Sequence, residues 1–183
     1  MLDLLIVIII IAPALWFIRI YNRFVTLHNL VKEAWSGIDV QLKRRYDLVP
    51  NLVEIVKGYT GHERNVFENV AALRTSAFRS DKARLRSEAE NALSQTLKSL
   101  FAVAEAYPQL KADGQFLSLQ ATLTEVEDQI QFARRYYNGT VRNYNILVQS
   151  FPSNLVANNF HYEKEDYFEI ELVTQRDAPE VAL

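Results

Sequence analysis

The sequence contains no cysteine, only three histidines, and five glycines and five prolines among its 183 residues. The absence of cysteine excludes disulfides, thiolate metal sites and a cysteine nucleophile. Few glycines and prolines, together with abundant Leu, Ala, Glu, Arg and Gln, favour helices over a turn-rich β architecture. The formal net charge is only −2, and the chain lacks the concentrated basic face of nucleic-acid-binding domains. We therefore expect an all-α protein that does not bind nucleic acid.

Motifs that would indicate catalysis are also missing. His62-Glu63 is not followed by a second histidine at Val66, so the helical zinc-protease motif fails. Glycine-rich phosphate loops and nucleophile elbows are absent. Carboxylates on helices usually lie on solvated faces or pair with cations four residues away, as the spacing of Asp39 and Lys43 allows. The sequence predicts a protein that is not an enzyme and holds no metal or cofactor.

One long apolar segment, Leu4 to Ile18, contains no charged side chain. As a helix it would cover roughly 22 Å of a hydrocarbon core about 30 Å thick. Trp16 suits the membrane interface, and Arg19 and Arg23 can extend toward the headgroups. We expect residues 1–20 to be a single transmembrane anchor.

The segment also allows two other interpretations. Ala12-Pro13-Ala14 has the small-x-small form of a signal-peptide cleavage site. A signal peptide begins with positive charge, however, and the first residues here carry only Asp3. The third interpretation is a buried helix of a soluble protein, and Pro13 does not argue against a span because neighbouring groups can satisfy the freed carbonyl.

Charges on either side of the segment predict its orientation. Asp3 precedes it, whereas Arg19, Arg23 and Lys32 follow it. The positively charged flank stays in the cytoplasm. We expect a single-pass membrane protein with its N-terminus outside and its large domain in the cytoplasm.

Residues 21–152 show apolar side chains at steps of three and four, which is typical of amphipathic helices. Breaks are predicted at Val49-Pro50, around Ser80-Asp81 and from Pro108 to Gly114, so the connections are short. The sequence predicts an elongated antiparallel four-helix bundle whose first helix continues from the anchor without a loop. Its four stripes are Phe24, Leu27, Val31, Trp35, Ile38 and Leu42; Val53, Val56, Tyr59, Phe67, Val70, Leu73 and Ala77; Leu85, Ala89, Leu93, Leu97, Leu100 and Val103; and Leu119, Leu123, Val126, Ile130, Ala133, Tyr137, Val141, Tyr144, Val148 and Phe151.

The last bundle helix is predicted from about residue 113 to 150. Asp113 is a suitable N-cap, and Pro152 disfavours helix at Phe151. Asn138-Gly139 resembles a hairpin turn, but the apolar stripe keeps its phase through it, so we expect a weakened helix there.

Residues 153–183 form an acidic, aromatic-rich tail. We expect a short helical turn at Ser153 to Asn159. An extended segment should then dock its aromatic side chains on the bundle, and the last eight or so residues should be disordered. These aromatic residues are Phe160, Tyr162, Tyr167 and Phe168.

Several polar residues are candidates for structural or interface roles. Glu63 falls on the apolar stripe of the second predicted helix, so it needs a cation, and Arg134 or Arg135 is the candidate. Lys43-Arg44-Arg45 would lie roughly 39 Å beyond the headgroups in a straight helix, too far to bind lipid. Intramolecular salt bridges or a partner surface are the expected roles of Arg44 and Arg45. Asn22, Asn138 and Asn145, each of which follows a tyrosine, are candidates for aligning the helices.

These residues carry a resemblance that covers nearly the whole chain. Its motifs run from Tyr21-Asn22 through Ala34-Trp35-Ser36, Ile38 to Val53, Val56 to Tyr59 and His62-Glu63, then through Ala104 to Pro108, Leu119-Gln120, Ala133 to Asn138, Tyr144-Asn145 and Phe151-Pro152. In these motifs the chain resembles the bacterial LemA family. The resemblance implies a small bacterial protein of the cytoplasmic (inner) membrane, with one N-terminal membrane helix and a helical-bundle body, and it does not imply a catalytic activity. Magnetosome-associated relatives and links to membrane proteases imply a membrane-organising or adaptor role.

The leading hypothesis is a membrane-anchored scaffold that contacts the lipid bilayer, associates into a homo-oligomer and holds a membrane protein partner such as a protease. A second hypothesis is a regulatory subunit of a membrane enzyme, whose site Asp39, Arg44, Arg45 and Glu63 would help to complete. A third is a lipid-shaping protein. A polar pocket that gathers those four residues would favour the second hypothesis.

Overall fold

The described part of the chain folds into helices. The computed structural model describes residues 2–59, 68–72, 75 and 83–168, and the side chains of residues 2, 4–8, 10 and 83–85 lie outside that description. Throughout the described ranges no strand occurs, so the all-α prediction is confirmed. A short helical stretch covers residues 68–72. The named helices are α1 (Leu2–Tyr59), α2 (Ala83–Glu105), α3 (Pro108–Lys111), α4 (Gly114–Gln149) and α5 (Ser153–Asn159).

Helix α1 is longer than the sequence predicts. The predicted break at Val49-Pro50 is wrong, because α1 continues through Pro50 to Tyr59. A proline inside a helix removes a hydrogen bond and costs about 3 kcal/mol. Here Val49, Leu52 and Val56 are all buried around it, and their burial offsets that cost. The first predicted helix and the start of the second are therefore one helix, whereas the predicted break near Ser80-Asp81 lies outside the described residues.

Helix α4 agrees with its prediction at both ends. The Phe116 N–H donates to Asp113 Oδ1 at 2.9 Å, so the predicted N-cap is confirmed. The helix ends at Gln149, shortly before Pro152, and continues through Gly139 without interruption. Helix α5 occupies the predicted residues Ser153–Asn159.

The chain folds as two compact units. The first contains Met1–Val40 and Ile130–Tyr167, and the second contains the described residues of Gln41–Gln129 together with Phe168. The core of the first unit is formed by the buried residues Phe24, Val31, Ala34, Ile38, Ile130, Tyr137, Val141, Tyr144, Leu147, Val156 and Ala157. The core of the second unit includes Leu42, Tyr46, Val49, Leu52, Val56, Leu93, Leu97, Leu100, Leu110, Phe116, Leu123 and Val126.

Two positions depart from the predicted α4 stripe. The sequence predicts Phe151 in the core stripe, but it is 80% exposed, and it predicts Arg134 beside the stripe, but it is buried. Phe151 lies beyond Gln149, the last residue of α4, so it does not belong to the helical stripe. Arg134 lies four residues after Ile130 and three before Tyr137, and this spacing places it on the same buried face.

Within the part of the chain whose placement is described, no helix is both long and apolar enough to cross a bilayer. The side chains of residues 4–8 and 10, and with them Leu4 of the predicted span, lie outside that part.

Substituting Gly139 with alanine should stabilise the protein. Gly139 is helical, and a Cβ atom added there would meet no other atom within 4 Å. Glycine inside a helix costs about 0.5–1 kcal/mol relative to alanine because it loses more backbone entropy on folding. We expect Gly139→Ala to raise the free energy of unfolding by about that amount, measured by urea denaturation of the detergent-solubilised protein. A decrease would mean that this position needs the flexibility of glycine.

Candidate functional site

A buried ionic cluster lies in the second unit. Arg45 of α1 is 1% exposed and its guanidinium contacts Glu90 of α2, which is fully buried. Arg45 Nη1 also donates to Glu127 Oε2 of α4 and to Ser94 Oγ of α2, both at 2.8 Å. One cation therefore connects three helices and faces two carboxylates.

The chemistry of this cluster is structural. Burial lowers the pKa of the Arg45 guanidinium, and the charge of Glu127 opposes that shift. A guanidinium is nevertheless not deprotonated in proteins, so it neither accepts nor releases a proton. Fixed donors directed at two carboxylates stabilise buried charge. The cluster therefore connects three helices through buried charge.

The tail after α5 packs on α1 in the first unit. The Tyr162 ring stacks on the fully buried Phe24 ring, with centroids 4.7 Å apart and planes 7° apart. Phe24 also meets Tyr144 of α4 edge-on at 6.3 Å. Phe160 lies against Tyr21 at 5.0 Å and against Phe17 at 6.0 Å. The tail thus covers the side of α1 that faces α4.

Two residues of α4 hold the tail backbone. Asn145 Nδ2 donates to the Glu165 carbonyl oxygen at 2.9 Å, and the Glu165 N–H donates back to Asn145 Oδ1 at 2.9 Å. The Tyr137 hydroxyl donates to the Asp166 carbonyl oxygen at 2.9 Å. Because these bonds reach backbone atoms, they fix the path of the tail regardless of its side chains. We call Phe24, Tyr137, Tyr144, Asn145 and Tyr162 the tail clasp.

Replacing Asn145 with alanine should release the tail. The two Glu165 backbone groups would lose their partners, and a buried polar group left unsatisfied costs about 1–3 kcal/mol. We expect faster hydrogen exchange of the amides between residues 162 and 168 in Asn145→Ala, measured by mass spectrometry. Asn143→Ala, on the exposed side of the same helix, is the matched control and should leave the tail protected. Equal exchange in the two variants would contradict this role.

The tail clasp should weaken at alkaline pH. Burial, reinforced by the charges of Glu165 and Asp166, raises the pKa of Tyr137 to about 12, and burial with the charge of Glu165 does the same for Tyr144. A raised pKa means that folding favours the neutral phenol, so this stability is fully present below the ordinary value near 10. This stability should be lost as pH rises from about 10 through about 12. Phenolate absorbance and hydrogen exchange of the tail amides measure the change. Ionisation of both groups near pH 10 in the folded protein would contradict it.

The other predicted polar residues lie in both units. Arg44 is exposed and donates to Gln41 Oε1 at 3.3 Å. Asp39 and Asn138 are half-buried and Arg134 is buried, all in the first unit. Glu63 lies outside the described residues, so its pairing with Arg134 or Arg135 stays a prediction. Arg45 is engaged by Glu90 and Glu127. A polar pocket that gathers Asp39, Arg44, Arg45 and Glu63 stays a prediction, because Glu63 lies outside the described residues.

Sequence reasoning missed Glu90 and Glu127 as partners of Arg45. A signal for Glu90 was available, because it precedes Leu93 by three residues and Leu97 by seven, which places it on the buried face of α2. Arg45 likewise lies between Leu42 and Val49 at steps of three and four. Two opposite charges on buried stripes predict a pair, but only the fold shows which helices meet.

Among the described residues, no group of three or more His, Asp or Glu side chains could hold a metal ion. An open groove of about 560 Å³ lies between α1 and α4 in the second unit. It is lined by Asn51, Glu54, Ile55, Gly114, Gln115, Ser118, Leu119 and Thr122. Its one charged residue, Glu54, makes no cluster that would select a ligand.

Comparisons with known proteins agree on one family. The family model described as LemA family matches residues 34–183. Magnetosome protein MamQ 2 and Magnetosome protein MamQ 1 of Paramagnetospirillum magneticum are each 25% identical to the chain, over 81% of its length and 64% of theirs. Magnetosome protein MamQ of Magnetospirillum gryphiswaldense is 21% identical over the same shares. The chain thus spans slightly less than two thirds of the length of these curated relatives.

Proposed function

The chain belongs to the LemA family, and from that premise we propose that it is a membrane-anchored, non-enzymatic scaffold or adaptor of the bacterial cytoplasmic membrane. Its similarity to proteins named as magnetosome proteins supports a place in a membrane-associated structure. The family and these relatives fit a membrane-associated role without catalysis. Self-association and the holding of a membrane protein partner are the further parts of the proposal.

The observation that carries this function is the continuity of α1. The apolar segment from Leu4 to Ile18 and the core positions from Phe24 onward lie on one helix without a break. The described apolar side chains of the segment are exposed, including Ile9, Ile11, Leu15 and Ile18. An exposed run of large apolar side chains at one end of a long helix is suited to lipid. The membrane segment would therefore be coupled rigidly to the first unit.

The polar interior supports a role in assembly. Arg45 is occupied by its two carboxylates, and Asn145 is occupied by the tail backbone. These buried polar groups hold helices and tail together and present no reactive group to a substrate. A rigid body confined to a membrane concentrates in two dimensions, so weak lateral contacts suffice for assembly. We propose that the protein acts by its position at the membrane and by its contacts with other copies and with a partner protein.

Carbonate washing of membranes tests the anchor. We expect the full-length protein to stay in the pellet and to be released only by detergent. Ile9→Arg should shift it to the supernatant, because an arginine at the centre of a span costs about 2.5–3.5 kcal/mol. Val25→Arg, an exposed position beyond the span, should behave as the wild type. Release of the wild type by carbonate, or an intact mass that indicates cleavage behind Ala14, would overturn the anchor.

Stoichiometry in nanodiscs tests the scaffold. We expect the number of copies per disc to rise above random loading as the protein-to-lipid ratio increases, and crosslinked membranes to yield a membrane protein partner. Protease protection in intact and opened vesicles checks that the C-terminal domain is cytoplasmic. A protein that stays monomeric at all ratios and captures no partner would contradict a scaffold while leaving the anchor intact.

A further inference from the structure

Helix α5 has an unusual outward face. The side of α5 that packs on the first unit contains Ser153, Val156 and Ala157, which are buried. Its other side carries Leu155, which is 58% exposed, and directly before the helix Phe151 is 80% exposed. Apolar side chains thus lie on both sides of a short surface helix, and packing among the described residues accounts for only one side.

The segment around α5 is also free of charge. Residues 151–160 contain no Asp, Glu, Lys or Arg, although charged residues make up 23% of the chain. The other exposed residues on this side of α5 are Asn158 and Asn159, which are polar but neutral. A surface that enters the boundary between headgroups and acyl chains avoids desolvating charge and tolerates neutral polar groups. The composition of this segment fits such a surface.

Contacts within the first unit place α5 beside the proposed anchor. Phe160, which follows α5 directly, has its ring 6.0 Å from Phe17 and 5.0 Å from Tyr21. Phe17 belongs to the apolar segment, and Arg19 follows it. In a spanning helix, the change from apolar to basic residues marks the level of the headgroups. The end of α5 therefore lies at that level if the anchor spans the bilayer.

We propose that α5 and Phe151 form a second membrane contact, in which Phe151, Leu155 and Phe160 enter the headgroup–acyl boundary of the leaflet where the anchor emerges. This contact rests on the proposed anchoring. The aromatic rings suit the interface, where an apolar body meets hydrated groups. With two attachments to the bilayer, the first unit would keep a fixed tilt and would not reorient about a single helix.

Site-specific quenching of labels tests this contact in the full-length protein. Because the chain has no cysteine, single labels can be placed by Leu155→Cys, Leu15→Cys and Phe132→Cys without background. Each is coupled to an environment-sensitive fluorophore in vesicles of phosphatidylethanolamine and phosphatidylglycerol. Quenching is measured with doxyl lipids and with aqueous iodide. Phe132 on α4 is the matched control, since its exposed fraction is also 58%.

We expect doxyl lipids to quench the labels at Leu155 and Leu15, and iodide to quench the label at Phe132. If iodide quenches Leu155 while doxyl lipids still quench Leu15, the second contact is wrong and the anchor stands. If doxyl lipids quench neither, the anchor fails and the contact with it. Shielding of Leu155 from both quenchers would mean that protein covers α5, which also overturns the proposal.

A charge substitution provides an independent measurement. In the Leu155→Cys background, Phe151→Glu should reduce doxyl quenching and increase iodide quenching, because a carboxylate resists leaving water. Phe132→Glu in the same background should change neither. Both sites are exposed, and circular dichroism checks that helix content is retained. Unchanged quenching in the Phe151→Glu variant would overturn the participation of Phe151.

Discussion

Replacing Arg45 with methionine is expected to lower the free energy of unfolding by about 3–5 kcal/mol, because it would leave a buried carboxylate without its cation. Glu90 is fully buried and contacts the Arg45 guanidinium. Methionine fills much of the same space, so the loss reports charge and not a cavity. Chemical denaturation of the detergent-solubilised full-length protein, followed by circular dichroism, measures it.

Two further variants identify the cause of that loss. Glu127 is partly exposed and can be hydrated when its partner is removed, so Glu127→Gln should cost about 1 kcal/mol or less. The double variant Arg45→Met with Glu90→Met should recover most of the stability, because an apolar replacement of both charges is often neutral or stabilising. An Arg45→Met variant as stable as Glu127→Gln would contradict the importance of the buried pair.

Replacing Phe24 with alanine should have an effect of similar size in the first unit. Phe24 is fully buried between Tyr144 and Tyr162, and removing a buried phenylalanine side chain typically costs about 3–5 kcal/mol. Because Tyr162 stacks on this ring, the tail should lose protection first. Hydrogen exchange resolved by peptide should show faster exchange between residues 160 and 168 before α1 and α4 are affected.

The neighbouring residue provides the control for this result. Val25 is exposed on the same helix, and Val25→Ala should change stability by less than about 0.5 kcal/mol. Equal losses for Phe24→Ala and Val25→Ala would show that the tail does not depend on the stacked ring. Uniform exchange throughout the first unit would show instead that the tail and the helices unfold together.

Local signals in the sequence predicted much of the fold. Asp113 and Pro152 mark the limits of α4, because capping and the missing proline donor act within a few residues. Helix α5 and the continuation of the first helix from the apolar segment into the bundle follow from the same kind of local signal. These features depend on neighbours along the chain, so a single sequence is sufficient to identify them.

Features that depend on packing were less accessible. The helix continues through Pro50 because buried residues on either side offset a local penalty, and the sequence alone does not give the size of that burial. The partners of Arg45 lie on α2 and α4, and charge pairing across helices depends on which faces meet. Tyr137 and Asn145 of the tail clasp bind the backbone of Glu165 and Asp166. Backbone atoms are the same in every residue, so the sequence does not indicate this contact.

Arg45, which connects α1 to α2 and α4, also restricts how these helices can align along their axes. Sliding α2 by one helical turn would move Glu90 about 5.4 Å along the axis. Apolar side chains at steps of three and four tolerate such a shift, because the next apolar residue of the stripe occupies the same packing position. The buried ion pair does not tolerate it, because Glu90 would be left in the interior without the Arg45 cation. We infer that this ion pair fixes the axial alignment of α2, because it destabilises shifted arrangements that apolar packing alone would allow.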